Sequence, residues 1–367
     1  MKKIVYFDKN ISDATFKLAV REKNIVKGIR KHNDYVDGVF DAFEKQGYEV
    51  VLNYRTSFLF YQRAFRTNDL LRFFRKVYSF IFSKFDQYFL NKVLQDDVKN
   101  TNASIYFTEL NHVISPKTLH VFREQGIKTI EWFGLFPFQF KEDDNVLKSV
   151  PYFDLILSPC DIFHLFNDEL KPSRFLEIFP AYNPKTVKKI ELVGSEVDKY
   201  SYDVVFIGSV AKIHSNRWDI LELLANTYDN FVFFGYAVEQ VPSQYTFIKK
   251  YKGAIWTDEY VKVINGSKII LNLFLDDYSK VKSGVNLRTF EIPACQAFEL
   301  SQYIPGLENF FEIGKDIETF KDNNELIEKI DFFLKNEKER KIIAKSGCNK
   351  VVEFTFENQI KNILEYI

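Results

Sequence analysis

The stretch Ser283–Leu300, SGVNLRTFEIPACQAFEL, sets a glycine turn, an arginine and a single glutamate into a run that otherwise reads as buried structure. Its spacing predicts a turn at Ser283-Gly284, a helix over Leu287–Cys295 and a strand over Ala297–Ser301. The apolar run Lys268–Phe274 before it predicts another strand. Strand, helix, strand at this spacing is the unit of a parallel sheet with right-handed crossovers. In such a unit the helix start offers free backbone N–H groups and partial positive charge, which suit a phosphate. Arg288 falls in the first helical turn, where a guanidinium pairs with a diphosphate in bidentate fashion. Glu291, three residues on, shares its face and suits the two hydroxyls of a ribose. The plainer alternative is an Arg–Glu surface pair.

The same alternation extends outward. In the first half, strands are expected at Lys3–Phe7, Tyr48–Asn53, Ser104–Phe107, Ile127–Trp132 and Phe153–Ser158. Helices are expected at Tyr35–Gln46, up to Gln125, and near Asp161–Asn167. The polar stretch 180–200, with two prolines, separates two apolar blocks and reads as a linker. The pattern then restarts with strands at Tyr202–Ile207 and Phe231–Phe234 and helices at Arg217–Ala225 and Glu259–Asn265. The expected division is residues 1–183, with a helical insertion at about 54–93, residues 184–345, and a C-terminal helix within 346–367 crossing back to the first domain. Two doubly wound α/β domains in tandem expect a functional crevice at the carboxyl ends of their strands, the two domains facing each other across a cleft.

A length of 367 residues with 46% hydrophobic content suits two full cores. Lys+Arg and Asp+Glu both number 50, so no global charge draws the chain to nucleic acid. The three cysteines, Cys160, Cys295 and Cys348, lie far apart without a C-x-x-C, which fits a reducing compartment better than a disulfide framework or structural zinc. The start MKKIVYFDKN reads as a strand and no apolar run reaches the ~18 residues of a membrane span, so a cytoplasmic protein is expected. No G-x-G-x-x-G and no G-x-x-x-x-G-K-[ST] is present, against a dinucleotide dehydrogenase or P-loop ATPase.

Taken in order, SGVNLRTFEIPAC at 283–295, the stretch 304–334 and ERKIIAKSGCNKVVEF at 339–354 resemble the C-terminal half of bacterial CgeB-like glycosyltransferases. DVVFIGS at 203–209, Arg217 and SKIILN at 267–272 match the same family. The resemblance covers about Asp203 to Leu364 and implies the GT-B fold, with two Rossmann-like domains, and a sugar transferred from a nucleotide-diphosphate donor to a hydroxyl acceptor. By position it implies that Glu291 holds the nucleotide ribose, that Asn286 and Arg288, with Ser283 and Gly284 before them, form the diphosphate site, and that Gly208 and Ser209 form the opposite wall. Lys212 and Arg217 are further phosphate candidates. Two departures bear on the donor sugar and on whether the reaction is retaining or inverting. Ser283 stands where many retaining relatives carry the first glutamate of E-x7-E, and Gln296 stands where relatives usually have glycine. Glu299 completes an E-x7-E with Glu291 only out of register.

Glu109 and His112, in a loop after a strand, and Asp8, at the tip of the first strand, are candidates for a general base. The alternative for each is a solvated loop residue. Asp276-Asp277 reads as a solvated turn, so no metal or other cofactor is expected, the nucleotide sugar being a co-substrate. Trp256 is either core or a wall of the base pocket, and His214 either a phosphate contact or a solvated loop residue. Residues 54–93 carry eight basic side chains against Asp69 and Asp86, interleaved with aromatics. Arg72, Arg75 and Lys76 there suit an anionic membrane surface at the inner face of the cell membrane and a lipid-linked glycan acceptor; the alternative is aromatics packed on the sheet with solvated charges. Such an enzyme would serve cell-surface polysaccharide or glycoconjugate synthesis. A polyol-phosphate transferase or a non-catalytic nucleotide-sugar sensor on a related fold are the rivals.

Overall fold

The computed structural model describes residues 3–10, 15, 18–55, 88, 90–109, 114–133, 145–159, 167–274 and 285–367. The chain forms two compact units, Met1–Phe179 with Phe356–Ile367, and Pro180–Thr355.

In the first unit the strands β1 (Lys3–Asn10), β2 (Tyr48–Arg55), β3 (Ile105–Glu109), β4 (Lys128–Trp132), β5 (Leu155–Ser158) and β6 (Phe175–Glu177) form a parallel sheet in the order β2-β1-β3-β4-β5-β6. Helices α1 (Ile25–His32), α2 (Asp34–Lys45), α3 (Pro116–Glu124) and α4 (Asn145–Ser149) belong to this unit. Asn33 caps α2 by accepting from the Val36 N–H at 3.1 Å, and Ser115 caps α3 with proline at its first position. One core gathers Tyr106, Leu119, Phe122, Phe133, Phe153 and Ile156.

The second unit contains β7 (Val204–Ile207), β8 (Phe231–Phe234), β9 (Ile269–Asn272), β10 (Glu299–Gln302) and β11 (Glu318–Phe320), all parallel, in the order β11-β10-β9-β7-β8. VVFI, FVFF and IILN are buried along their whole length, as strands covered by helices on both faces must be. The helices of this unit include α5 (Ser195–Lys199), which buries no residue, and α6 (Trp218–Thr227), α7 (Thr257–Gly266), α8 (Arg288–Ala294), α9 (Asn323–Lys335) and α10 (Glu337–Lys350). The stretch read as a linker is pinned to this unit. Asn265 on α7 accepts from the Ile190 N–H at 3.0 Å and donates to the Lys188 carbonyl at 3.1 Å, and Lys262 pairs with Glu196 at 2.6 Å.

The last helix, α11 (Phe356–Tyr366), belongs to the first unit and packs on α2. The Phe356 ring meets Tyr35 edge-on at 5.4 Å and lies against Gly38, where a Cβ would overlap it. Most of the basic, aromatic segment 54–93, including Arg72, Arg75 and Lys76, and all but Asn167 of the helix expected near Asp161–Asn167 lie outside the described residues. Among the described residues no helix is long and apolar enough to cross a membrane.

Candidate functional site

In the second sheet the chain leaves β7 toward β8 and returns on the other side as β9, so the strand order switches between β7 and β9. Loops at the carboxyl ends of two such strands part and leave a crevice for a ligand. Here those loops begin at Gly208-Ser209 and Leu273-Phe274. Arg217 ties them together: one terminal nitrogen donates to the Ser209 carbonyl at 2.9 Å and the other to the Leu273 carbonyl at 3.1 Å. It is only 4% exposed. Its guanidinium therefore holds the walls of the crevice in place, where the sequence suggested a phosphate ligand. Asn216 adds a second tie, donating to the Phe274 carbonyl at 2.9 Å. Gly235 runs so close to Gly208 that a Cβ on it would overlap the Gly208 carbonyl oxygen. Ser209, buried, accepts from the Ala211 N–H at 3.2 Å, and Lys212 is exposed at the rim. His214 is half-buried, with Nδ1 buried and without a partner. Burial, then the guanidiniums of Arg217 and Arg288, pushes its imidazole down to about 4, so it is neutral at pH 7.

The other wall is α8. Asn286 precedes it, and its side-chain oxygen accepts from the Thr289 N–H at 3.3 Å while its amide donates to Asn272 at 2.8 Å. Arg288 is half-buried, with Nε buried and unpartnered. Glu291, 9% exposed, accepts from the Tyr260 hydroxyl at 2.6 Å. Burial, reinforced by the Glu291 carboxylate, pushes the Tyr260 hydroxyl well above the usual tyrosine range, so it stays a donor. Tyr260 is a site residue that sequence reading missed: nothing marks one tyrosine among 20 as a carboxylate's partner. Trp256, expected as core or base-pocket wall, is 61% exposed and stacks on exposed Tyr236 with centroids 6.4 Å apart. Tyr236 adjoins the crevice, its carbonyl accepting from the Val210 N–H at 3.2 Å.

The first sheet switches between β1 and β3. Asp8 there is buried, accepting from Asn53 at 3.0 Å and from the Tyr106 hydroxyl at 2.7 Å. Glu109 pairs with Lys9, whose ammonium lies 4.6 Å from the centre of the Tyr35 ring. Burial pushes the Lys9 amine down to about 7 against the attraction of Glu131. His112, Ser283, Gly284 and the pair Asp276-Asp277 lie outside the described residues. Among the described residues no three His, Cys, Asp or Glu side chains gather as a metal site.

Two tandem Rossmann-like units of parallel sheet define the GT-B class of fold. Residues 214–365 match the family model described as glycosyl transferase-like, and over that stretch the chain is glycosyl transferase-like in sequence. No curated protein matches the sequence. Solved structures match over the whole chain. A glycosyltransferase from Rickettsia africae ESF-5 is 12% identical with a TM-score of 0.61, over 100% of this chain and 97% of that one. HepE from Anabaena, solved in complex with UDP, is 12% identical with a TM-score of 0.57, over 100% of both chains. Sucrose-phosphate synthase from Thermosynechococcus elongatus is 12% identical with a TM-score of 0.60, over 99% of this chain and 98% of that one. At this identity the likeness shows the fold.

Proposed function

We propose that this protein is a glycosyltransferase that moves a sugar from a nucleotide-diphosphate donor to a hydroxyl acceptor, with the CgeB-like enzymes as the family branch it resembles. The observation that carries the reading is the placement of Arg288 and Glu291 on α8, beside the switch point, inside the stretch of glycosyl transferase-like sequence. Glu291, oriented by Tyr260, accepts from the ribose hydroxyls. Arg288 and the rim residue Lys212 neutralise the diphosphate as it departs, a stabilisation realised most fully in the transition state. The exposed Tyr236–Trp256 stack supplies an aromatic face for the base. That HepE was solved with UDP and with UDP-glucose supports a uridine nucleotide as the first donor class to try.

In the first unit Glu109 is the base this reading assigns, its carboxylate steadied by Lys9. The basic, aromatic segment 54–93 supports a lipid-linked acceptor, an anionic membrane surface and work at the inner face of a bacterial membrane; co-sedimentation with anionic liposomes at low salt tests that part. The reaction itself is tested by incubating purified protein with UDP-, GDP-, ADP- and dTDP-sugars and measuring released nucleotide diphosphate. Slow donor hydrolysis with one of them is expected; none with any would leave a nucleotide-sugar sensor as the better account.

A further inference from the structure

Beneath α8 lies a polar chain, buried at Glu299 and Asn272, that meets the proposed donor site only at Asn286. Glu299, at the start of β10, is 1% exposed and Asn272, at the end of β9, is wholly buried. The Asn272 amide nitrogen donates to Glu299 Oε1 at 2.7 Å and to the Thr289 hydroxyl at 3.2 Å. The Asn272 oxygen then accepts from the Asn286 amide at 2.8 Å, which turns the Asn286 oxygen toward the Thr289 N–H at 3.3 Å. Each link has one donor side and one acceptor side, so the direction of the whole chain is set at its far end. Were Glu299 Oε1 removed, Asn272 could flip, present its oxygen where its nitrogen had been, and reverse the polarity offered to Asn286.

We infer that Glu299 is a positioning residue: through Asn272 and Asn286 it fixes the first turn of α8, and with it the direction in which Arg288 and Glu291 face the crevice. The inference rests on the proposed donor site. Glu299 Oε2 is buried with no hydrogen-bond partner. Burial pushes its carboxyl up to about 8, with Asn272, Ser301 and Arg288 pulling the other way. At pH 7 the group is therefore mostly neutral and places no full negative charge beneath a diphosphate. An acceptor oxygen that carries no net charge is what this position needs, and glutamine supplies the same.

Three variants test this with UDP as the probe. Glu299→Gln should bind UDP within about twofold of the wild type. Glu299→Met, of similar volume but without the acceptor, should bind more weakly, by up to about tenfold, because UDP must then itself order the first turn of α8. In hydrogen exchange without nucleotide, residues 285–291 should exchange faster in Glu299→Met and at the wild-type rate in Glu299→Gln. Asn272→Ala, cutting the chain one link nearer α8, should match Glu299→Met and serves if that variant fails to fold. Wild-type exchange and affinity in Glu299→Met or Asn272→Ala would overturn the inference, as would loss in Glu299→Gln equal to that in Glu299→Met. If no variant, wild type included, binds any nucleotide, the donor-site reading fails while the exchange data still decide the role of Glu299 in ordering α8.

Discussion

Gln296 adopts the left-handed backbone, φ 52°, immediately after α8. Its N–H bonds the Pro293 carbonyl at 2.7 Å and the next N–H, of Ala297, bonds the Ile292 carbonyl at 3.3 Å, the paired bonds of a Schellman ending. Such an ending suits a residue without a Cβ penalty, and here it is a glutamine. The left-handed form costs an L-residue about 1–2 kcal/mol, and glycine's extra chain entropy returns about half of that. Gln296→Gly should therefore leave thermal stability equal or slightly higher, and a clear fall in melting temperature would contradict the account. Tyr260 is the opposite case, invisible in sequence because its partner Glu291 is distant along the chain. Tyr260→Phe removes a buried donor to that carboxylate and should cost about 1–3 kcal/mol in chemical denaturation. That Arg288 and Glu291 share one helix was legible because their spacing is local. The role of Arg217 was not, since its two carbonyl partners come from strands that only the fold brings together.

At the level of elements, the runs VVFI, FVFF and IILN announced themselves because strands buried on both faces carry no polar interruption. The strands β6 and β11 went unread. Each has three residues at a sheet edge, too short for a periodic signal. Helix α1 also escaped, its start marked only by Asn24, which accepts from the Lys27 N–H at 3.1 Å. The packing of α11 on α2 rests on Gly38, which lets the helix surface admit Phe356. A small gain in helix propensity of about 1 kcal/mol accompanies Gly38→Ala and partly offsets the overlap. Gly38→Val has less such gain and more bulk. It should destabilise the protein by about 1–3 kcal/mol, read as a lower denaturant midpoint. An unchanged midpoint would mean that α11 is not held there.

At the scale of the whole molecule, two buried groups, Glu299 in the second unit and Lys9 in the first, titrate with opposite sign. The folded protein holds a proton on Glu299 up to about pH 8, whereas the unfolded chain releases it near 4.5, so this group's contribution to stability falls as pH rises through that window. Lys9 is pushed down from 10.5 to about 7, so the folded state binds fewer protons there and its contribution rises between those values. Glu299→Gln removes the first arm alone. Its advantage in melting temperature over the wild type should grow from pH 5 to 8 and then level; a constant difference would refute the assignment of a neutral buried carboxyl. Such long-range burial is what the sequence could not show: Glu299 looked like the accidental half of a motif, and its meaning came from the strand and helix around it.

The proposed donor site makes α8 the element that binds the diphosphate and ribose of a nucleotide sugar. Titration calorimetry of the wild type, Arg288→Ala and Glu291→Gln with UDP and UDP-glucose tests it most directly. Measurable wild-type binding of at least one of them is expected, with a loss of about tenfold or more in each variant, since each removes a charge-assisted hydrogen bond from the ligand. Wild-type affinity in both variants, with their folds intact, would contradict it.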